Sequence, residues 1–112
     1  MALPTDITRQ VYAVGASPTE VVEVDTRDTR LLAGTATNLD GSQTLVGEVL
    51  ARVWAADDAG LTAYSELVLI NPGETKPFAI DCAVFQSIIL RFTASGAGCN
   101  VRISARPDRG RR

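Results

Sequence analysis

The sequence predicts an all-β chain: a single antiparallel β-sandwich of about eight strands, jelly-roll-like in the first instance and immunoglobulin-like as second choice. Three observations lead there. The dominant hydrophobic period is two, the repeat of a strand with one buried face. Apolar runs are cut at short intervals by Gly, Pro, Asn and Asp, which turn a chain. No segment carries a convincing 3.6-residue period.

The elements follow in order. Residues 8–14, 20–25 and 30–37 are predicted strands, separated by Gly15-Ala16-Ser17-Pro18 and Thr26-Arg27-Asp28-Thr29. Asn38-Leu39-Asp40-Gly41-Ser42 is a predicted turn. Val49, Ala51, Val53 and Ala55 then alternate with Leu50, Arg52 and Trp54 before Asp57-Asp58-Ala59-Gly60 turns the chain into residues 61–70, a hairpin. In Asn71-Pro72-Gly73-Glu74, proline presets φ and glycine accepts a positive φ. That turn leads into a short strand at 78–81, with Pro77 marking its start or an edge. Ile88, Leu90, Phe92 and Ala94 point one way and Ile89, Arg91 and Thr93 the other. After Ser95-Gly96-Ala97-Gly98, Val101, Ile103 and Ala105 alternate with Arg102, Ser104 and Arg106, so this pair reads as a second hairpin with an arginine-lined outer face.

The expected core is Val22, Val24, Leu32, Val49, Val53, Leu67, Leu69, Phe78, Ile80, Ile88, Leu90, Phe92, Val101 and Ile103. Residues 1–7 and 106–112 lack periodicity and are expected to lie outside the sandwich as arms. With 112 residues, 46% apolar and 21% charged, the chain has material for one domain, 1–112, and no second. Its longest apolar runs, such as 67–70, are four residues, against roughly 20 needed to span a bilayer. No basic, apolar leader opens the chain, which predicts synthesis in the cytoplasm. Reducing conditions then favour buried free thiols at Cys82 and Cys99 over a bridge between them, with both outcomes left open.

Charge is unevenly spread. Six basic residues face twelve acidic ones over residues 1–101, whereas Arg102, Arg106, Arg109, Arg111 and Arg112 face only Asp108 in the last eleven. A basic tail on an acidic body predicts docking on an acidic protein surface, through these arginines, or solvated charges with no role. Nucleic acid is not expected, because an aromatic content of 5% and an acidic body provide neither stacking platform nor basic face. Trp54, Tyr12 and Tyr64 are amphipathic aromatics, and Trp54 and Tyr64 are taken as candidate docking residues.

The chain has no histidine, which removes the commonest general base, Ser–His and Cys–His pairs, and most zinc sites. Paired carboxylates remain, at Asp57-Asp58 and at Glu23 with Asp25. The first pair sits in a predicted hairpin tip and the second on the outward side of a strand, so both are expected to serve architecture. No catalytic residue, cofactor, metal or small-molecule substrate is therefore expected. Gly96-Ala97-Gly98 lies between strands and precedes no helix that would hold a phosphate.

The short strands, the Asn71-Pro72-Gly73-Glu74-Thr75-Lys76-Pro77-Phe78 turn entering a strand, and the closing Cys99-Asn100-Val101-Arg102-Ile103-Ser104-Ala105 strand together resemble small decoration and cement proteins of tailed-phage heads. That resemblance covers residues 8–106 and implies a β-sandwich or jelly roll on the outer capsid surface. It would bind the major capsid protein and copies of itself, as a homodimer or homotrimer, and brace the shell. It brings no catalytic motif. A head-fibre or spike base, or another virion adaptor, is the alternative role; a carbohydrate-binding or adhesion module is the alternative of another class, and predicts an exposed aromatic platform.

Overall fold

In a computed structural model that describes residues 3–54, 60–61, 69–82 and 84–108, the chain is all β. Its strands are β1 (Ile7–Val14), β2 (Thr19–Asp25), β3 (Leu31–Asn38), β4 (Leu45–Arg52), the two-residue β5 (Gly60–Leu61), β6 (Thr75–Asp81), β7 (Ser87–Ala94) and β8 (Cys99–Asp108). The expectation of about eight strands becomes seven full strands among the described residues, with β5 only a short pairing of Gly60 and Leu61 against Ala51 and Leu50. The rest of the predicted 57–60 turn and 61–70 strand, through residue 68, lies outside the described residues. Ile70 forms an isolated bridge to Leu45.

Two antiparallel sheets result, ordered β1-β8-β3-β6 and β2-β7-β4-β5. The pairs β1·β8, β2·β7, β3·β6 and β4·β5 are nested, first strand with last and so inward. Alternation puts Leu32, Phe78, Ile80, Val101 and Ile103 of one sheet against Val24, Val49, Ile88, Leu90 and Phe92 of the other in one buried cluster. Val14, Leu45, Ile70, Cys82 and Cys99 also belong to it. Val22 packs against this cluster only partly buried. Two other predicted core residues do not belong: Val53 has left β4 and Leu69 precedes the Ile70 bridge, so neither is held on an inner face, and both are 46% exposed. Leu67 lies outside the described residues.

The largest correction concerns β7 and β8, which the period alone joins as a hairpin. β7 pairs with β2 and β4, and β8 with β1 and β3, so Ser95–Gly98 carries the chain from one sheet to the other, with Gly98 at φ 80°. The single arginine-lined face divides accordingly: Arg91 is outside one sheet, and Arg102 and Arg106 are outside the other.

The arms are also shorter than expected. Ile7 is buried within β1, and the Pro4 carbonyl accepts the Asp25 N–H at 2.8 Å. Residues 106–108 continue β8 along β3, where Asp108 meets Leu31 and its carboxylate meets Arg30 at 2.5 Å. Arg109, Arg111 and Arg112 lie outside the described residues.

Pro77 sits inside β6 and not at its start; β6 borders its sheet, so the missing N–H costs no ladder bond. The other full edge strands, β1 and β2, each carry a bulge, between Ile7 and Gln10 and between Glu20 and Val22. A proline and two bulges blunt the β1, β2 and β6 edges against edge-to-edge pairing.

Candidate functional site

Glu23 and Asp25 open on one cleft with Leu3, Arg27, Arg52 and Ser87. Strand alternation turns Glu23, Ser87 and Arg52 to the same outer face of β2, β7 and β4. Glu23 Oε2 accepts from Arg52 Nε at 3.0 Å and from Ser87 Oγ at 2.5 Å, which ties three strands together. Asp25 takes a bidentate pair from Arg27, at 3.0 and 2.8 Å, and the Arg27 backbone N–H at 3.1 Å. Those donors hold the Asp25 carboxyl below its ordinary pKa, the opposite of what a general acid requires. Asp57 and Asp58 lie outside the described residues.

Further along the same face Glu48 pairs with Arg91 at 2.9 Å. Between the two cross-strand pairs lie Ile89 and Leu50, which point away from the core yet are only 1% and 6% exposed. An alternating pattern assigns such residues to solvent, so the sequence carried no signal for this second buried spot.

The candidate docking residues separate in space. Trp54, 67% exposed, lines a shallow depression with Val53, Val84, Phe85 and Arg27 at the end of the β2-β7-β4 sheet. Arg102 and Arg106 project from the outer face of the other sheet, on β8. Tyr64, Arg109, Arg111 and Arg112 lie outside the described residues. Tyr12 is half-buried against the core, and burial raises its phenol pKa.

One residue absent from the sequence-based candidates joins Arg106. Thr8 and Arg9 bulge from β1 opposite Ser104, with Arg9 at φ 47° and its backbone N–H on Ser104 Oγ at 3.2 Å. The bulge brings Arg9 to the rim of a groove shared with Ala33, Gly34, Thr35, Ser104 and Arg106. A strand pattern read residue by residue contains no mark of a bulge.

Cys82 and Cys99 are free and buried. Cys82 Sγ donates to the Ile80 carbonyl at 3.2 Å, and burial pushes its pKa up to about 11; burial raises that of Cys99 as well. Because the thiolate is the reactive form, Cys82 should react with a disulfide reagent at pH 8 about 100-fold more slowly in the folded protein than in urea, and Cys99 should also be slowed. Rapid labelling of native protein would show that the β6 end and the β8 start open readily.

Asp40 caps its own turn, accepting the Ser42 and Gln43 N–H groups at 2.9 and 2.8 Å, which lowers its pKa. A carboxyl with a depressed folded-state pKa stabilises above its unfolded pKa and loses that contribution as pH falls through the folded value. Urea midpoints should therefore fall on acidification below about pH 4, and Asp40→Asn should flatten that acid limb. A wild-type slope in the variant would count against the cap.

No protein-family model matches the chain, and no curated protein matches it by sequence. Among solved structures, its fold is similar to the crystal structure of the SPBc2 prophage-derived protein YomS, with a TM-score of 0.52 and 17% identity over 94% of this chain and 96% of that one.

Proposed function

We propose that this chain is a structural virion protein without enzymatic activity: a capsid decoration or cement protein that binds the major capsid protein on the outer shell as a homodimer or homotrimer. The observation that carries the reading is the likeness of fold, over nearly the whole of both chains, to a prophage-derived protein. The nested strand pairing supports reading the two sheets as a jelly roll. The pairing of Glu23 and Asp25 with arginines supports the absence of chemistry, and the blunted β1, β2 and β6 edges suit a rigid body that meets partners through its faces.

Mass spectrometry of purified particles, with and without this chain, tests the proposal. The chain should be present in many copies, and particles lacking it should release DNA at lower temperature; its absence from particles overturns the reading. Sedimentation velocity should give a dimer or trimer. A truncation that probes the basic tail should begin at Arg109, because Pro107 and Asp108 still pair with β3. Removing 109–112 should lower occupancy on particles with little loss of stability, whereas removing 107–112 should lower both.

Exposed Trp54 favours one second reading, a carbohydrate-binding or adhesion module that uses this indole as a platform. A glycan array on wild type and Trp54→Ala separates the two: binding lost with the indole supports adhesion, and no binding leaves the virion reading.

A further inference from the structure

We propose that the outer face of the β1-β8-β3 sheet is a docking groove for an extended, acidic segment of a partner protein, with Arg9 and Arg106 at the groove and Arg102 farther along β8. The proposal deepens the virion reading and rests on it only for where the partner is found.

Charge placement is the first support. Arg27, Arg30, Arg52 and Arg91 each hold a carboxylate, on Asp25, Asp108, Glu23 and Glu48. Among the described residues Arg9, Arg102 and Arg106 hold none, and all three belong to β1 or β8 on one sheet. In a chain with more acidic than basic residues, unpaired arginines are not an overflow of cations. A guanidinium keeps its charge and presents a fork of donors that fits a carboxylate through two parallel bonds.

The backbone is the second support. A non-glycine residue at positive φ is strained, and such strain concentrates where a side chain must be aimed. Here the strained residue is Arg9, and the bulge sets it beside the groove that Arg106 also borders. The small side chain of Ala33, opposite Arg106 across the β3·β8 pair, leaves room beside them.

Strand geometry sets the spacing. Arg102 and Arg106 lie four residues apart on one face of β8, roughly 13 Å. An extended segment with carboxylates at positions i and i+4 matches that separation. The groove lining is free of aromatic side chains for base stacking, and an acidic body repels a long polyanion, so carboxylates are favoured over nucleic-acid phosphates.

The test titrates an acetylated Glu-Ala-Val-Ala-Glu peptide into the full chain and follows backbone amide signals by NMR. Signals of Ala33, Gly34, Ser104 and Arg106 should shift. Affinity should fall about tenfold with the Gln-Ala-Val-Ala-Gln peptide, and likewise with Arg9→Gln/Arg106→Gln. Arg106→Gln alone, at an exposed position outside the bulge, should also weaken binding and serves if the double variant does not fold. No shift at millimolar peptide, equal binding of the glutamine peptide, shifts confined elsewhere, or tighter binding of a DNA duplex in the groove would each overturn the proposal. Because the peptide test uses free protein, it stands apart from whether the chain occurs in particles.

Discussion

Replacing Asn38 with alanine is expected to lower unfolding free energy by about 3 kcal/mol, read from urea transitions by far-ultraviolet circular dichroism. Asn38 is fully buried at the end of β3. Its side-chain amide donates to the carbonyls of Gln43 at 2.7 Å and Ile70 at 3.1 Å, and its oxygen accepts the Asp40 N–H at 2.9 Å. One residue thereby closes the 39–44 turn onto the Ile70 bridge. Alanine keeps the backbone but leaves the Gln43 carbonyl and the Asp40 N–H without this partner, at about 1–3 kcal/mol for each group that stays dry.

Asn38→Asp sharpens the test. A carboxylate cannot donate to the two carbonyls, and burial raises its folded-state pKa above the unfolded one. Stability of this variant should be higher at pH 4 than at pH 7, since a raised pKa favours the folded state at low pH and the benefit is lost as pH rises through it. A loss under about 1 kcal/mol in Asn38→Ala, with no such pH dependence in Asn38→Asp, would mean that water replaces the amide readily.

Gly34→Ala should cost a similar amount or more, about 3 kcal/mol, for a steric reason. Gly34 of β3 pairs with Ala105 of β8, and a Cβ there would overlap the Ser104 carbonyl oxygen and stand 2.7 Å from Ala105 Cα. Both obstacles are backbone, so relief requires β3 and β8 to move apart in the middle of their sheet. Gly15 and Gly41 have nothing within 4 Å of such a Cβ and no positive φ. Alanine at either should be neutral or stabilise by up to about 1 kcal/mol through the unfolded chain. Amide exchange in β3 and β8 should accelerate in Gly34→Ala alone; three indistinguishable variants would contradict the close approach.

Much of the fold was legible because its cause is local. Alternation along Ile88–Ala94 and Val101–Ala105 identified two strands and their inner faces, and Leu32, Phe78 and Ile80 were placed correctly for the same reason. Turn residues located most of the breaks between strands. The candidate site was less legible. Arg102 and Arg106 were found from charge, but Arg9 joins them only because β1 bulges against a residue 95 positions away.

The amino-acid sequence by itself determined that this protein is built of short strands with one apolar face each, and that Glu23 and Asp25 would share an outward face, in a chain without histidine. Tertiary structure alone decided which sheet each strand joins, since a period of two reads the same whatever the neighbour. Thus β7 and β8, adjacent in sequence, occupy opposite sheets; Ile89 and Leu50 are buried on an outer face; and Asn38, written like a turn residue, is enclosed. Each depends on contacts between distant segments, and the free energy of such contacts is settled only when the whole core closes.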